Sequence, residues 1–437
     1  MKARFIPVHT AAAVLLALAA AAPPASAAPT TAEQAIIDAI DATLESQRRL
    51  LEAAVNINSG TRNLDGVKKV GKLFRRRFDD LGFQTEWLKM PRAMKRAGHL
   101  LARHPGKRGR KLLLLGHLDT VFPKDSPFQR YTQKGDVAFG PGISDMKSGD
   151  TIIVFALNAL KTAGVLEGMR ITVMLTGDEE MAGKPLSKSR GPLIALGKEA
   201  DAALSFEGGA IDAVTTVRRG SSNWRLEVSG KRAHSSAIFR DGVGAGAIFE
   251  AARILNRFYN QVRGERYLTF NPGIILGGTD IDADFGHSRG AAFGKTNVIA
   301  SRVVVRGGLR FISAEQKERA RAKMRDIVAE SLPETAALIR FEDRYPAMSP
   351  SPANRALFEV MKGINADLGY AEPKEVDPAL RGAGDISFVA PYVASIDGLG
   401  ADGEGAHTTD EKLDLASLAP MTKRAALLIY RLTRQDK

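Results

Sequence analysis

The stretch Lys111-Leu-Leu-Leu-Leu-Gly-His-Leu-Asp-Thr120 decides how this chain is read. Four consecutive leucines between charged and turn residues form a short apolar run of the kind buried on both faces in a parallel sheet. The strand delivers His117 at its C-terminal end, with Asp119 two residues on. In extended chain the two side chains face the same way. The Asp119 carboxylate is therefore expected to accept a hydrogen bond from the His117 ring and fix its orientation.

Further along, Gly140-Pro-Gly142 forces a turn before Asp145, which heads an apolar-periodic segment, Met146 to Leu160, expected to be a helix. The helix dipole favours a carboxylate at that end and keeps it ionised. A second apolar strand, Met169 to Thr176, runs into Gly177-Asp178-Glu179-Glu180, and a third, Ala202 to Phe206, delivers Glu207. Open α/β sheets place their sites outside the carboxyl ends of such strands. His407 follows much later, in the glycine-rich stretch GEGAHTTDEK.

His117, Asp145, Glu180, Glu207 and His407 make a set of two imidazoles and three carboxylates. Mixed nitrogen and oxygen donors suit zinc and not calcium. No thiolate contributes, because the chain has no cysteine. If one carboxylate bridges, five ligands hold two metals and leave room for water, the arrangement of metal-assisted hydrolysis. Glu179 and Glu180 cannot point the same way in extended chain, so one is expected to ligate and the other to move protons. Taken singly, each motif has a plainer reading: a core histidine at 117, a solvated turn at 179–180, a loop histidine at 407. Four clusters at strand ends and glycine-rich loops, in a chain with only seven histidines, make coincidence the weaker account.

The strings GHLDTVFP, GDVAFGPGISDMKSG, TGDEEMAG, LSFEGG, GKRAHSS and GAHTTDE resemble the co-catalytic di-zinc metallopeptidases. That family includes glutamate carboxypeptidase, acetylornithine deacetylase and succinyl-diaminopimelate desuccinylase. The likeness runs from about residue 35 to the C-terminus, with the glutamate carboxypeptidase branch the most similar. The resemblance implies two zinc ions per chain, one held by His117 and Glu207, the other by Glu180 and His407, with Asp145 bridging. It further implies Glu179 as general base, Asp119 as the residue orienting His117, and a cis peptide bond at Asp145-Met146.

The implied fold is α/β: a catalytic domain with a mixed, mostly parallel sheet flanked by helices, and an inserted α+β lid or dimerisation domain. The order of elements supports this. After Glu207 come a strand at Trp224 to Val228, a helix at Gly242 to Val262, strands at Tyr267 to Phe270 and Val303 to Phe311, and a charged helix at Ala314 to Glu330. Such segregation is that of an α+β unit. The expected division is 1–27 signal peptide, 28–216 first catalytic part, 217–343 lid, and 344–437 second catalytic part.

By resemblance, His234 reaches across a homodimer to polarise the scissile carbonyl, while Asn297 and Arg310 bind the substrate's carboxylate. A planar guanidinium pairs bidentately with such a group. The loop Arg381-Gly-Ala-Gly-Asp385 matches the family's substrate-facing loop, where Gly382 and Gly384 let a ligand approach closely. The stretch 277–294, with Asp280, Asp282, Asp284 and His287, is longer than the simplest members carry. It lacks the glycine and distal glutamate of a calcium loop and is expected to be a surface loop.

The N-terminus reads as an export signal: Lys2 and Arg4, an apolar stretch from Ala11 to Ala22, then Ala25-Ser26-Ala27 as a small-residue cleavage site. The apolar stretch is too short for a bilayer span, so no stable membrane anchor is expected. Export points to a bacterial periplasm or secretion, without disulfides. The formal charge of +13 falls to +11 once Lys2 and Arg4 are removed. The densest basic patches are Lys68 to Arg77 and Arg103 to Lys111. Aromatics make up only 6% and do not interleave with these charges, which argues against a nucleic-acid partner.

These readings converge on an exported zinc-dependent exopeptidase or amidohydrolase that cleaves an amide beside a free carboxylate and releases a C-terminal glutamate. The alternatives are an N-acyl amino acid amidohydrolase or dipeptidase of the same family, and a degenerate, non-catalytic binding or dimerisation module.

Overall fold

The computed structural model describes residues 29–284 and 289–434. The signal-peptide segment 1–27 and His287 lie outside these residues. The Leu112–Leu115 run lies in the strand Arg108–His117, at the heart of a six-stranded mixed sheet. It pairs in parallel with Met169–Thr176 on one side and Ala202–Ser205 on the other. Ser395–Ile396 extends the parallel part, while His99–Pro105 and Gln84–Leu88 add antiparallel strands at the opposite edge.

The four leucines serve two cores, because successive side chains point to opposite faces. Leu112 and Leu114 join the core formed with the helices Ser148–Thr162 and Leu418–Arg434; Leu113 and Leu115 join a smaller one with the helix Gly191–Glu199. All four are at most 2% exposed, which is why the run reads as continuously apolar instead of alternating. Because the three central strands are parallel, His117 and the segments that follow Thr176 and Ser205 emerge at one edge of the sheet.

The helix after the Gly-Pro-Gly turn begins at Ser148, two residues later than the sequence pattern suggests. Asp145 and Met146 lie before it with non-helical dihedrals, joined by a cis peptide bond. Glu411, from a distant segment, supports this turn. Its buried carboxylate accepts the N–H groups of Gly142, Ser144 and Asp145 at 2.9–3.0 Å, so the turn's donors are satisfied without a helix.

A second sheet, wholly antiparallel, runs in the order Thr269–Gly278, Arg302–Phe311, Gly220–Gly230, Thr335–Tyr345. The helices Gly246–Gln261 and Ala314–Ala329 cover it with a separate core containing Trp224, Leu226, Phe258 and Met324. This is the inserted α+β unit. The stretch expected to be a surface loop is instead a hairpin, Asp280–Asp284 against Arg289–Phe293. Its polar Asp-Ile-Asp-Ala-Asp sequence has little strand propensity, and pairing with its own return strand supplies the backbone hydrogen bonds.

Candidate metal centre

The five candidate ligands come together in two groups that share Asp145: His117, Asp145 and Glu207, and Asp145, Glu180 and His407. Asp145 Oδ1 lies 3.0 Å from His117 Nε2, and its Oδ2 lies 3.1 Å from His407 Nε2. Glu207 Oε1 is 3.8 Å from His117 Nε2, and Glu180 Oε2 is 3.1 Å from His407 Nε2. One carboxylate thus offers one oxygen to each half of the cluster. His407 adopts a left-handed backbone, φ 67°, in a glycine-rich loop, a conformation histidine tolerates better than most side chains.

The electrostatics are those of tightly packed carboxylates and imidazoles. Burial disfavours charge on Asp145, but hydrogen bonds to His117 and His407 outweigh it and hold its carboxyl far below the usual range. Burial, with Asp145 adding its negative charge, pushes Glu207 up to about 8. Hydrogen bonds to Asp145 and Glu180 raise His407 to about 11. Glu180 Oε1 is buried with no hydrogen-bond partner, an expensive condition unless something else meets that oxygen. This orphaned atom, with the mixed imidazole and carboxylate donors, fits a pair of divalent cations such as zinc.

Asp119 departs from the expected geometry. The His117 ring Nδ1 lies 3.0 Å from the Asp119 backbone carbonyl and 3.7 Å from its carboxylate. The chain bends at Leu118, so 117 to 119 is no longer extended and the carbonyl turns to the ring. The freed carboxylate accepts the Thr61 hydroxyl at 2.6 Å and the N–H groups of Glu179 and Glu180. Burial is the main cause that raises Asp119 to about 7.

Glu179 and Glu180 both line a cavity of 390 Å³ over the cluster, together with Asp145, Glu207, His407, Arg218, Arg381 and Gly382. Burial first, then the neighbouring carboxylates Asp385, Glu207 and Glu180, raise Glu179 well above the usual carboxylate range. Gly384 lies nearby: a Cβ there would stand 3.4 Å from the Arg218 guanidinium carbon. His234, Asn297 and Arg310 do not line this cavity. All three sit exposed on the inserted unit, with His234 and Asn297 neighbours through the Ser235 N–H to Asn297 carbonyl bond of 2.9 Å.

Several supports escaped the sequence reading. Besides Glu411, the fully buried Arg190 bonds Asp178 at 2.5 Å and Asp385 at 2.7 Å, tying the segment before Glu179 to the glycine-rich loop. The Tyr345 hydroxyl donates to the Glu179 carbonyl at 2.9 Å. Arg218 pairs with buried Asp397 and donates to the Gly382 carbonyl at 2.9 Å. The only local signal was adjacency, as for Asp178 beside Glu179.

Sheet, inserted unit and paired acidic and imidazole groups at the strand ends are together those of a metallohydrolase. The family model described as peptidase family M20/M25/M40 matches residues 113–431, and the chain belongs to that metal-dependent family of peptidases and amidohydrolases. Carboxypeptidase G2 of Pseudomonas sp. (strain RS-16) is 26% identical over 408 residues, covering 91% of this chain and 90% of that protein. Succinyl-diaminopimelate desuccinylase of Gluconobacter oxydans (strain 621H) is 26% identical over 360 residues, covering 79% of this chain and 87% of that one. Aminopeptidase PepT from Bacillus cereus ATCC 10987 shares the fold, with a TM-score of 0.70 at 19% identity, covering 89% of this chain and 98% of that chain.

Proposed function

We propose that this M20-family hydrolase is a di-zinc exopeptidase that cleaves an amide beside a free carboxylate and releases a C-terminal glutamate. The observation that carries the reading is Asp145, whose two oxygens each contact a histidine of a different ligand group, in a cavity that Glu179 also lines. Similarity to carboxypeptidase G2 over nine-tenths of both chains favours the carboxypeptidase branch.

His117 and Glu207 would hold one ion, Glu180 and His407 the other, and Asp145 both. Bound zinc supplies Lewis acidity to the scissile carbonyl and to the attacking water. Glu179, half-buried in the cavity wall and of raised proton affinity, takes the proton of that water and returns it to the leaving nitrogen. Asp119 holds the backbone of Glu179 and Glu180 in place. Arg310 and Asn297 receive the substrate's carboxylate, and Gly382 and Gly384 keep the loop open to it.

His234 then acts from a second copy of the chain, donating to the oxyanion. Its exposed position away from its own cavity supports this assignment. So do Ile248 and Phe249, 51% and 53% exposed on the helix Gly246–Gln261, and the outer position of the strand Thr269–Gly278 in its sheet. Exposed apolar side chains beside a strand edge suit a two-fold contact. Among the described residues no helix is long and apolar enough to cross a membrane. Export rests on the N-terminal signal pattern.

The test is metal content of the purified protein measured beside glutamate release from an N-acyl-glutamate, with and without chelator. Two zincs per chain and chelator-sensitive release are expected. Two zincs with release of other amino acids instead would move the enzyme to the N-acyl amino acid branch, and neither metal nor turnover would leave only the binding module.

A further inference from the structure

The inserted unit is rich in arginine, and many of its arginines are matched. Arg225 pairs with Glu227, Arg253 with Glu250, Arg319 with Glu265, and Arg321 with Asp343. Three others form a group of their own. Among the described residues no carboxylate pairs with Arg219, Arg310 or Arg344, and the charged neighbours of Arg310 are the other two.

Strand register accounts for the grouping. Arg310 stands opposite Ser221 on one side and Thr269 on the other. Arg219 donates to the Thr269 hydroxyl at 3.2 Å, and its Nε is buried without a partner. Arg344 sits in the irregularity between Asp343, opposite Ser222, and Tyr345, opposite Ser221. Three guanidinium groups therefore gather at one end of the antiparallel sheet. Asp343, the nearest acid in sequence, is already engaged by Arg321 and Lys317.

That end of the sheet faces the catalytic domain. Arg219 donates to the Ala379 carbonyl at 3.3 Å, just before the glycine-rich loop, and the preceding residue, Arg218, lines the cavity over the metal cluster. Crowded like charges with no counterion favour an anion, and guanidinium forks match carboxylates. Three such groups exceed what one carboxylate needs.

Resting on the proposed hydrolase reading, we propose that Arg219 and Arg344 flank Arg310 to receive a second carboxylate, the acidic side chain of the released residue. The substrate class is then an amide whose amine half is a dicarboxylic amino acid. Arg219 and Arg344 select by charge and take no part in proton transfer.

The experiment compares N-benzoyl-glutamate with its neutral isostere N-benzoyl-glutamine, using the full metal-loaded enzyme. The wild type should prefer glutamate, and Arg219→Gln or Arg344→Gln should lower that preference about tenfold, through KM more than kcat. Arg340→Gln, a control on the same sheet whose side chain pairs with Glu227 at 3.5 Å, should leave the preference intact. Equal losses on both substrates would reduce the pair to structural support and overturn the assignment, as would a wild type indifferent to the charge.

If neither benzoyl amide is cleaved, the fault lies with the acyl group or with the hydrolase reading, and calorimetric titration of glutarate against butyrate still decides the site. Tighter glutarate binding that the double variant Arg219→Gln/Arg344→Gln abolishes supports it; equal affinities overturn it.

Discussion

The Asp119 carboxylate grips the backbone of two successive glutamates, accepting the Glu179 N–H through Oδ1 at 2.9 Å and the Glu180 N–H through Oδ2 at 3.2 Å. The same residue's carbonyl meets the His117 ring. One side chain therefore fixes the candidate base and a candidate ligand while its backbone fixes another ligand. Asp119→Asn keeps the size but turns an amide N–H₂ toward one of those donors. Activity should fall about 10–100-fold, the usual penalty for disturbing groups behind a metal site. Steady-state kinetics on this variant with wild-type activity would remove Asp119 from the site's support.

Glu179→Gln retains the shape of the cavity wall and loses the proton acceptor. We expect kcat to drop by about 10²–10⁴, the range typical of a lost general base, with both metals retained on elemental analysis. Loss of metal alongside activity would recast Glu179 as a ligand.

Glu411 is expected to matter without touching substrate. Its two oxygens hold the turn that aims Asp145, including the Ser144 hydroxyl at 3.0 Å. Glu411→Gln leaves at least one buried N–H facing an amide N–H₂, at a cost of about 1–3 kcal/mol. Chelator competition should show metal held about 10–100-fold more weakly. Unchanged retention would mean that the turn keeps its shape unaided.

The role given to His234 makes a mixing test possible. Two inactive proteins, Glu179→Gln and His234→Ala, are combined and allowed to exchange subunits. If His234 serves the neighbouring copy, half of the dimers carry one intact site, and about a quarter of wild-type activity returns. No recovery, with exchange verified by mass, would return His234 to its own chain or exclude it from the reaction.

What the sequence disclosed and what it hid divide along physical lines. The leucine run before His117 and the apolar strands before Glu180 and Glu207 were legible because burial on both faces leaves a continuous apolar signature. Glu411 was invisible in its role, since its partners lie 266 to 269 residues away. Arg190 lies in no motif, and only the folded chain sets it between Asp178 and Asp385. The Asp145 turn was read as the head of a helix because side-chain periodicity says nothing of a distant carboxylate occupying the backbone donors. The hairpin 280–293 was missed for the opposite reason: its pairing is local, but its side chains have weak strand preference.

The two crossings between the catalytic sheet and the inserted unit are stitched together, Arg218 and Met348 exchanging both backbone hydrogen bonds at 3.0 Å. Arg218 also holds the Gly382 carbonyl, and Tyr345, three residues before Met348, holds that of Glu179. The connection is therefore a ribbon with a tether on either side of the cavity. A displacement of the inserted unit would reach the Glu179 backbone through Tyr345 and the glycine-rich loop through Arg218, so the position of one unit and the shape of the cavity are linked.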